Sequence, residues 1–220
     1  MGKEIIILGI GRNTIVNIDL AESCGYRVSG LYHYTEGLSG QDYFGHRITG
    51  ITSRLLSEDL TGKQFSLSMG DNDIRSELYH RIIERGGTVP SLIHPSAIVS
   101  KYAVIANGVH VYPLCVIDPN TEIGENTIIS SKSTILHGSR IGSHCFIAPD
   151  AIVGANTIVE NHVFIGLNAT IISNKVPRIG HHSFIAASAV VTKSVAECQT
   201  MIGMPAKASS QSQETKRQHS

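Results

Sequence analysis

Imidazole is the side chain that most readily takes and gives a proton near neutral pH, and four of the 11 histidines stand at informative spacings. His137 lies in Ile135-Leu136-His137-Gly138-Ser139-Arg140-Ile141-Gly142. It falls two residues after a position that the repeat described below directs inward, which puts it on an accessible corner. His144, His162 and His182 share one phase once two inserted residues are allowed for, and are expected to line another corner. Stacked imidazoles can ligate a metal, but solvated corner residues give the same pattern, and no metal is expected. The four cysteines, Cys24, Cys115, Cys145 and Cys198, form no CxxC pair and read as reduced thiols. Cys115 and Cys145 occupy small inward positions, as packing residues do.

A second group stands near the N-terminus. Gly9-Ile10-Gly11-Arg12-Asn13-Thr14 follows an apolar strand and opens a helical pattern, where backbone N–H groups meet a phosphate. Gly9, Gly11, Arg12 and Asn13 are therefore candidate phosphate or sugar contacts, although the glycines also permit a tight turn. Thr14 stands in place of the third glycine of a dinucleotide fingerprint, and Tyr32-His33-Tyr34 in place of the acid that would end the second strand. NAD binding is not expected. Asp71 precedes a helical pattern as substrate contact or helix cap.

Two periodicities organise these residues. In 1–90, strands at Ile5–Leu8, Arg27–Tyr32 and Phe65–Met69 alternate with helices. Thr14–Ser23 is one helix. The other carries Ile74, Leu78 and Ile82 on one face and ends at Gly86-Gly87. The alternation predicts a small parallel α/β unit. From Ile93 the period is six: fourteen consecutive members through Ile171 are all Ile or Val. Four residues after each of the first thirteen stands a small or β-branched residue, from Ala97 to Ala169. Six residues are three strand periods, so each hexad is a short strand plus a turn, and three hexads close a triangular coil. Stacked coils pair as parallel strands about 4.8 Å apart. After Ile171 the next members are Ile179, Ile185 and Val191, so two extra residues fall within Ser173–Arg178, read as a protruding loop. The Ser/Gln-rich segment 208–220 reads as a disordered tail.

Composition sets limits. With 18 Lys+Arg against 18 Asp+Glu, nothing suggests a nucleic-acid partner held by charge. No apolar run reaches a membrane span, and no signal peptide is evident. A cytoplasmic protein is expected. Aromatics are 5% and Trp is absent, so Ile, Val and Ala must fill the core.

The hexads resemble those of the hexapeptide-repeat acyltransferases, whose coils wind left-handed. Added to them are the N-terminal Gly motif, Gly70-Asp71-Asn72 with Arg75, Ile93-His94-Pro95-Ser96-Ala97 and Gly203-Met204-Pro205-Ala206-Lys207. The ordered set is similar to the subfamily of UDP-4-amino-sugar N-acetyltransferases (bacillosamine and perosamine types) and sialic acid O-acetyltransferases. The resemblance covers roughly 3–207. It implies a Rossmann-like unit over 1–90 that holds a nucleotide sugar, a left-handed parallel β-helix over 91–207, and a homotrimer with active sites between adjacent β-helices. It further implies acetyl-CoA as co-substrate, lying along the C-terminal coils.

On that resemblance His137 takes the place of the catalytic base. Ala155, 18 residues on, should stack above it and offer its N–H to the thioester carbonyl. Gly9, Gly11, Arg12, Asn13, His33 and Asp71 take the substrate side. Ala155, Leu167, Ala187 and Lys207 take the cofactor side, with Arg178 and Lys193 as further candidates for CoA phosphates or as surface charges. Two residues depart from the subfamily pattern. Gly138 stands where an acid follows the base, which leaves Asp118 and His144 as candidate partners. Gly154-Ala155 reverses the usual order. The expected activity is acetyl transfer to the amino group of a nucleotide-linked amino-sugar in bacterial surface glycan biosynthesis. A weak base favours an amine over a hydroxyl. The alternatives are sugar O-acetylation, a non-catalytic scaffold, and a γ-class carbonic anhydrase built on histidine-bound zinc.

Overall fold

The computed structural model describes residues 2–208. Apart from Ala208, the tail assigned to 208–220 lies outside the described residues. Ala208 itself belongs to a strand, Lys207–Ala208, antiparallel to Thr200–Ile202.

The N-terminal sheet has the order β3-β4-β2-β1-β5. Its strands are β1 (Lys3–Leu8), β2 (Tyr26–His33), β3 (Asp42–Tyr43), β4 (His46–Ile51) and β5 (Phe65–Leu67). The β1–β2, β1–β5 and β2–β4 pairs are parallel, and β3–β4 is an antiparallel hairpin. Helix α1 (Thr14–Ser23) has the expected bounds, followed by α2 (Thr52–Leu55) and α3 (Asn72–Glu84). The hairpin and α2 carry no long apolar period, which is why the sequence pattern passed over them.

Helix α3 corrects one expectation. Its buried face is Arg75, Ser76, Tyr79 and Ile82, whereas Ile74 is 49% exposed. Arg75 is fully buried. Its Nε donates to Asn126 O (3.2 Å) and its Nη2 to Asn72 Oδ1 (2.8 Å), His144 O (3.1 Å) and Cys145 O (3.0 Å). Nη1 reaches Met69 O at 3.3 Å. Desolvation pulls the guanidinium down to about 10, so it stays charged at neutral pH. The helix therefore turns toward the coils because hydrogen bonds to the arginine outweigh the apolar stripe.

From Leu92–Ile93 through Val190–Val191 every hexad forms a two-residue strand, and these strands stack in parallel into three sheets. In one of them Ile117 pairs with Ile135, Ile135 with Val153, Val153 with Ile171 and Ile171 with Val191. The inward members from Val111 to Ile171 are at most 3% exposed, and the small positions from Val109 to Ala169 are fully buried. Burying an Ile or Val contributes roughly 1.5–3 kcal/mol, so the stacked column dominates the stability of this half. Ile93 departs from the pattern at 38% exposure, because no coil lies beneath it.

The insertion at Ser173–Arg178 protrudes less than its length implies. Asn174 and Lys175 are exposed, but Val176 turns inward at 1% exposure and restores the column.

The corners repeat as strictly as the strands. Backbone φ is positive at every sixth residue from Leu114 through Asn174, with Gly138 among them at +71°. Five of these eleven are Asn, which tolerates this conformation. The two halves share a core, for Leu92, Tyr112 and Ile128 on the coils pack with Ile5, Ile7, Ile18 and Leu31.

Candidate functional site

His137 lies on the corner after Thr134–Ile135, with its side chain 64% exposed. Asp118 belongs to the coil below. Its Oδ2 accepts the His137 backbone N–H at 3.3 Å and stands 3.9 Å from Nδ1. That second distance is too long for a hydrogen bond but within ion-pair range. Of the two partners read from sequence, Asp118 is adjacent and His144 is not. The interval of 19 residues places Asp118 one coil down on the same corner, whereas seven residues carry the chain to the next corner. There His144 is 5% exposed, its Nδ1 meets Asn126 Nδ2 at 2.9 Å, and burial lowers it to about 4.

Gly138 has a structural cause. Its positive φ suits glycine or Asn, and a Cβ there would collide with Asn156 Oδ1. The reversed Gly154-Ala155 has one too: a Cβ at Gly154 would meet the backbone of Ile171 and Ser173 in the coil above.

Ala155 is stacked one coil above His137, as the arithmetic required, but its amide is not free. Ala155 is 3% exposed and its N–H donates to Ser173 Oγ at 3.0 Å. Ser173 is 18 residues further on, so the same arithmetic carried one coil higher would have found it. Leu167 (52% exposed) and Ala187 (exposed) stack on a different corner from His137. Ser188 N–H donates to Leu167 O at 2.8 Å between their coils. Lys207 is exposed on the closing strand.

The turn before α1 is tied by Thr14, the residue in place of the third glycine. Thr14 Oγ1 accepts Gly11 N–H at 2.8 Å, lies 3.1 Å from Gly9 O and meets Ser68 Oγ at 3.2 Å. Gly9 has φ +91°, and a Cβ there would crowd the Ser68 and Met69 side chains. Gly11 is different: nothing lies within 4 Å of the place its Cβ would take. Turn geometry does not demand glycine at that position. Arg12 and Asn13 are exposed, and Asn13 precedes α1 without a side-chain cap. Asn13 lines a cleft of about 200 Å³ with Ser68, Tyr112, Ser130, Ser131 and Phe146. The cleft runs between the start of α1, the end of β5 and the coils. Its coil-side residues lie about a hundred positions or more from Asn13, and no local spacing announces them.

Two expected substrate contacts are occupied by the fold. His33 is 5% exposed, with Nε2 3.1 Å from Ile10 O and Nδ1 accepting Thr35 N–H at 3.0 Å. Both ring nitrogens are satisfied, so His33 braces the turn. Asp71 is the N-cap of α3, its Oδ1 accepting the N–H groups of Asp73 and Ile74, each at 3.0 Å.

The expected histidine ladder is present, with ring centroids 5.0 Å apart for His144–His162 and 4.6 Å for His162–His182. Among the described residues no helix is long and apolar enough to cross a membrane.

A glycine turn that opens a helix beside a stack of hexapeptide coils, with an accessible histidine on a coil corner, defines the class: a hexapeptide-repeat protein with an N-terminal α/β unit. Residues 89–217 match the family model described as GMPPB C-terminal domain, and the chain belongs to that family. A curated relative, GDP-perosamine N-acetyltransferase of Escherichia coli O157:H7, is 28% identical over 116 residues, 52% of each chain. The chain thus spans about half the length of that relative. Among solved structures, a mutant GDP-perosamine N-acetyl transferase from Caulobacter crescentus in complex with CoA and GDP-perosamine superposes with a TM-score of 0.87 at 26% identity. The match covers 94% of this chain and 97% of that one. The acetyltransferase domain of PglB from Neisseria gonorrhoeae FA1090, in complex with acetyl coenzyme A, has a TM-score of 0.86 at 24% identity over 95% and 100%. At that identity the likeness concerns the fold alone.

Proposed function

We propose that the protein is an acetyl-CoA-dependent N-acetyltransferase acting on the amino group of a nucleotide-linked amino-sugar. The observation that carries this reading is the exposed His137, with Asp118 Oδ2 3.9 Å from its Nδ1, on a coil corner beneath the Ala155–Ser173 step. In the proposed arrangement the unit over 1–90 is Rossmann-like and holds the nucleotide at Gly11, Arg12 and Asn13. The coils of 91–207 wind left-handed.

The proposed chemistry balances simply. His137 removes a proton from the sugar amine as its nitrogen attacks the thioester carbonyl. The carbonyl oxygen gains charge near the Ala155–Ser173 step, the C–S bond breaks, and the proton leaves with the CoA sulfur. Asp118 holds the imidazolium while the charge is there.

A site between copies, as in a homotrimer, is supported by two observations. Leu167 and Ala187 do not share a corner with His137, so a cofactor touching all three needs a second chain. The faces on either side of the His137 corner also expose Ile98 (68%), Ile152 (39%), Val104 (64%) and Ile158 (47%), an apolar surface that a neighbour would cover. The carbonic anhydrase alternative has no such support: within one chain His137 lies on a different corner from His144, His162 and His182. We assign the protein to the cytoplasm because its four cysteines are free and both proposed substrates are cytoplasmic metabolites.

The test is release of free thiol from acetyl-CoA with a panel of GDP- and UDP-linked 4-amino sugars. Activity that His137→Ala removes is the expected result. Near-normal turnover in that variant would reject the base assignment, and neither thiol release nor acetyl-CoA binding would reject the enzyme.

A further inference from the structure

Beside the Arg75 contacts, the first turn of α3 meets a second stretch of coil corner outside the site above. Asn72 Nδ2 donates to His162 O at 3.2 Å and fixes the helix start against the corner. Next to it, Asp73 Oδ1 lies 2.9 Å from His162 Nδ1 and 3.8 Å from His182 Nδ1. The ligand atoms of the three residues all fall within 4.8 Å of one another. In tetrahedral coordination with bonds of about 2.0–2.1 Å, ligand atoms stand roughly 3.3 Å apart. The two separations from Asp73 bracket that edge, and the His162–His182 edge, within 4.8 Å, shortens by a turn of the His182 ring, whose side chain is 37% exposed.

We propose that Asp73, His162 and His182 form a binding site for a divalent transition-metal ion of the zinc class, which clamps the start of α3 to the coil corner. Imidazole nitrogen and a carboxylate oxygen are the donor set such ions take. The His162 side chain is 18% exposed and that of His182 37%, so the rings are packed in place and still reachable. The Asp73 side chain, 71% exposed, leaves the approach and a fourth coordination position open to water. Neutral rings are needed, and burial together with His182 holds His162 below its ordinary range. On binding, neutral His162 carries its single proton on Nε2, the tautomer that frees Nδ1 for the metal in place of its contact with Asp73. The ring of His144, 5.0 Å away and inclined at 42°, limits tilting of His162. The positive end of α3 opposes a cation here, but the Asp71 and Asp73 carboxylates at that end offset it.

The experiment uses the full chain, stripped with chelator and titrated with CoCl2 and ZnCl2. Asp73→Asn and His182→Gln are the test variants, both at exposed or half-exposed positions. The expected result is one Co(II) per chain with the strong visible bands of a tetrahedral site, zinc-dependent gain in Tm, and at least ~10-fold weaker binding in each variant. Binding of equal strength in wild type and variants, no binding tighter than millimolar, or binding lost only when His80 or His144 is replaced would each overturn the assignment. Thiol release from acetyl-CoA is measured alongside. It concerns the separate His137 corner, so loss of one property does not entail loss of the other.

Discussion

Asp118 holds His137 from two sides: its Oδ2 takes the backbone N–H at 3.3 Å and faces Nδ1 at 3.9 Å. The carboxylate thus comes from the coil below and not from the next residue in the chain. Asp118→Asn is expected to lower kcat by roughly tenfold or more, bounded above by the ~10²–10⁴-fold that a positioned base contributes. KM for acetyl-CoA should hardly change. An unchanged kcat would leave His137 without its assigned partner.

Gly138 is fixed by the corner, so restoring an acid there has a cost. Gly138→Asp places a side chain against Asn156 Oδ1 in a backbone conformation disfavoured by roughly 1–2 kcal/mol. Urea unfolding should show the loss. The double variant Gly138→Asp/Asn156→Gly should recover part of it, and strict additivity of the two changes would refute the collision.

Ser173 occupies the Ala155 amide. Ser173→Ala leaves that buried N–H unpaired, at about 1–3 kcal/mol, in the protein without acetyl-CoA. A thioester oxygen could then take the hydroxyl's place. The variant is expected to have a lower Tm than wild type and a larger rise on adding acetyl-CoA. Equal rises in the two proteins would remove the amide from the site.

Arg75 ties α3 to two coils through the carbonyls of Asn126, His144 and Cys145. Arg75→Met should destabilise the protein by roughly 3 kcal/mol or more by leaving several buried acceptors unpaired. Arg75→Lys should rescue little, since an ammonium cannot reproduce the fork. Chemical denaturation of both variants measures this directly.

Acid should weaken the fold before most carboxylates titrate. His110 is fully enclosed between Ser66 Oγ (3.1 Å) and Asn17 Nδ2 (3.5 Å), and burial lowers it to about 3, with His144 at about 4. Both folded values lie below the unfolded ~6.5, so the unfolded chain binds more protons in between. Stability is full above that value and falls with pH through the window, by up to ~1.4 kcal/mol per pH unit for each group. His110→Asn should flatten the slope of ΔG against pH between 6 and 4; an unaltered slope would exonerate His110.

The coils were readable because one rule repeats. A residue's remainder on division by six gives its direction, and a difference of 18 gives its neighbour, which placed Ala155 over His137 and the histidines in one ladder. The same rule carried further would have found Ser173. It did not announce Asp118 outright, because 19 residues separate it from His137 and the contact depends on a side chain reaching sideways. The N-terminal unit was legible as strands and helices but not in its contacts. His33 and Asp71 have the right types for binding, yet their polar atoms are taken by Ile10, Thr35, Asp73 and Ile74. Nothing in a local pattern records which partner a polar group will meet. Ile74 misled for a similar reason: the apolar stripe of α3 lost to one buried arginine.

The closing hairpin has a consequence for solubility. A stack of parallel coils ends in open strand edges, and such an edge can seed the addition of another chain. Here Lys207–Ala208 runs antiparallel to Thr200–Ile202, while Gly203 O accepts Val190 N–H at 3.0 Å and Ala206 N–H donates to Val190 O at 2.7 Å. The turn-and-strand segment from Gly203 to Ala208 therefore pairs the last parallel strand of two coil sheets and replaces a long parallel edge with a two-residue antiparallel one, a poorer template for an added chain.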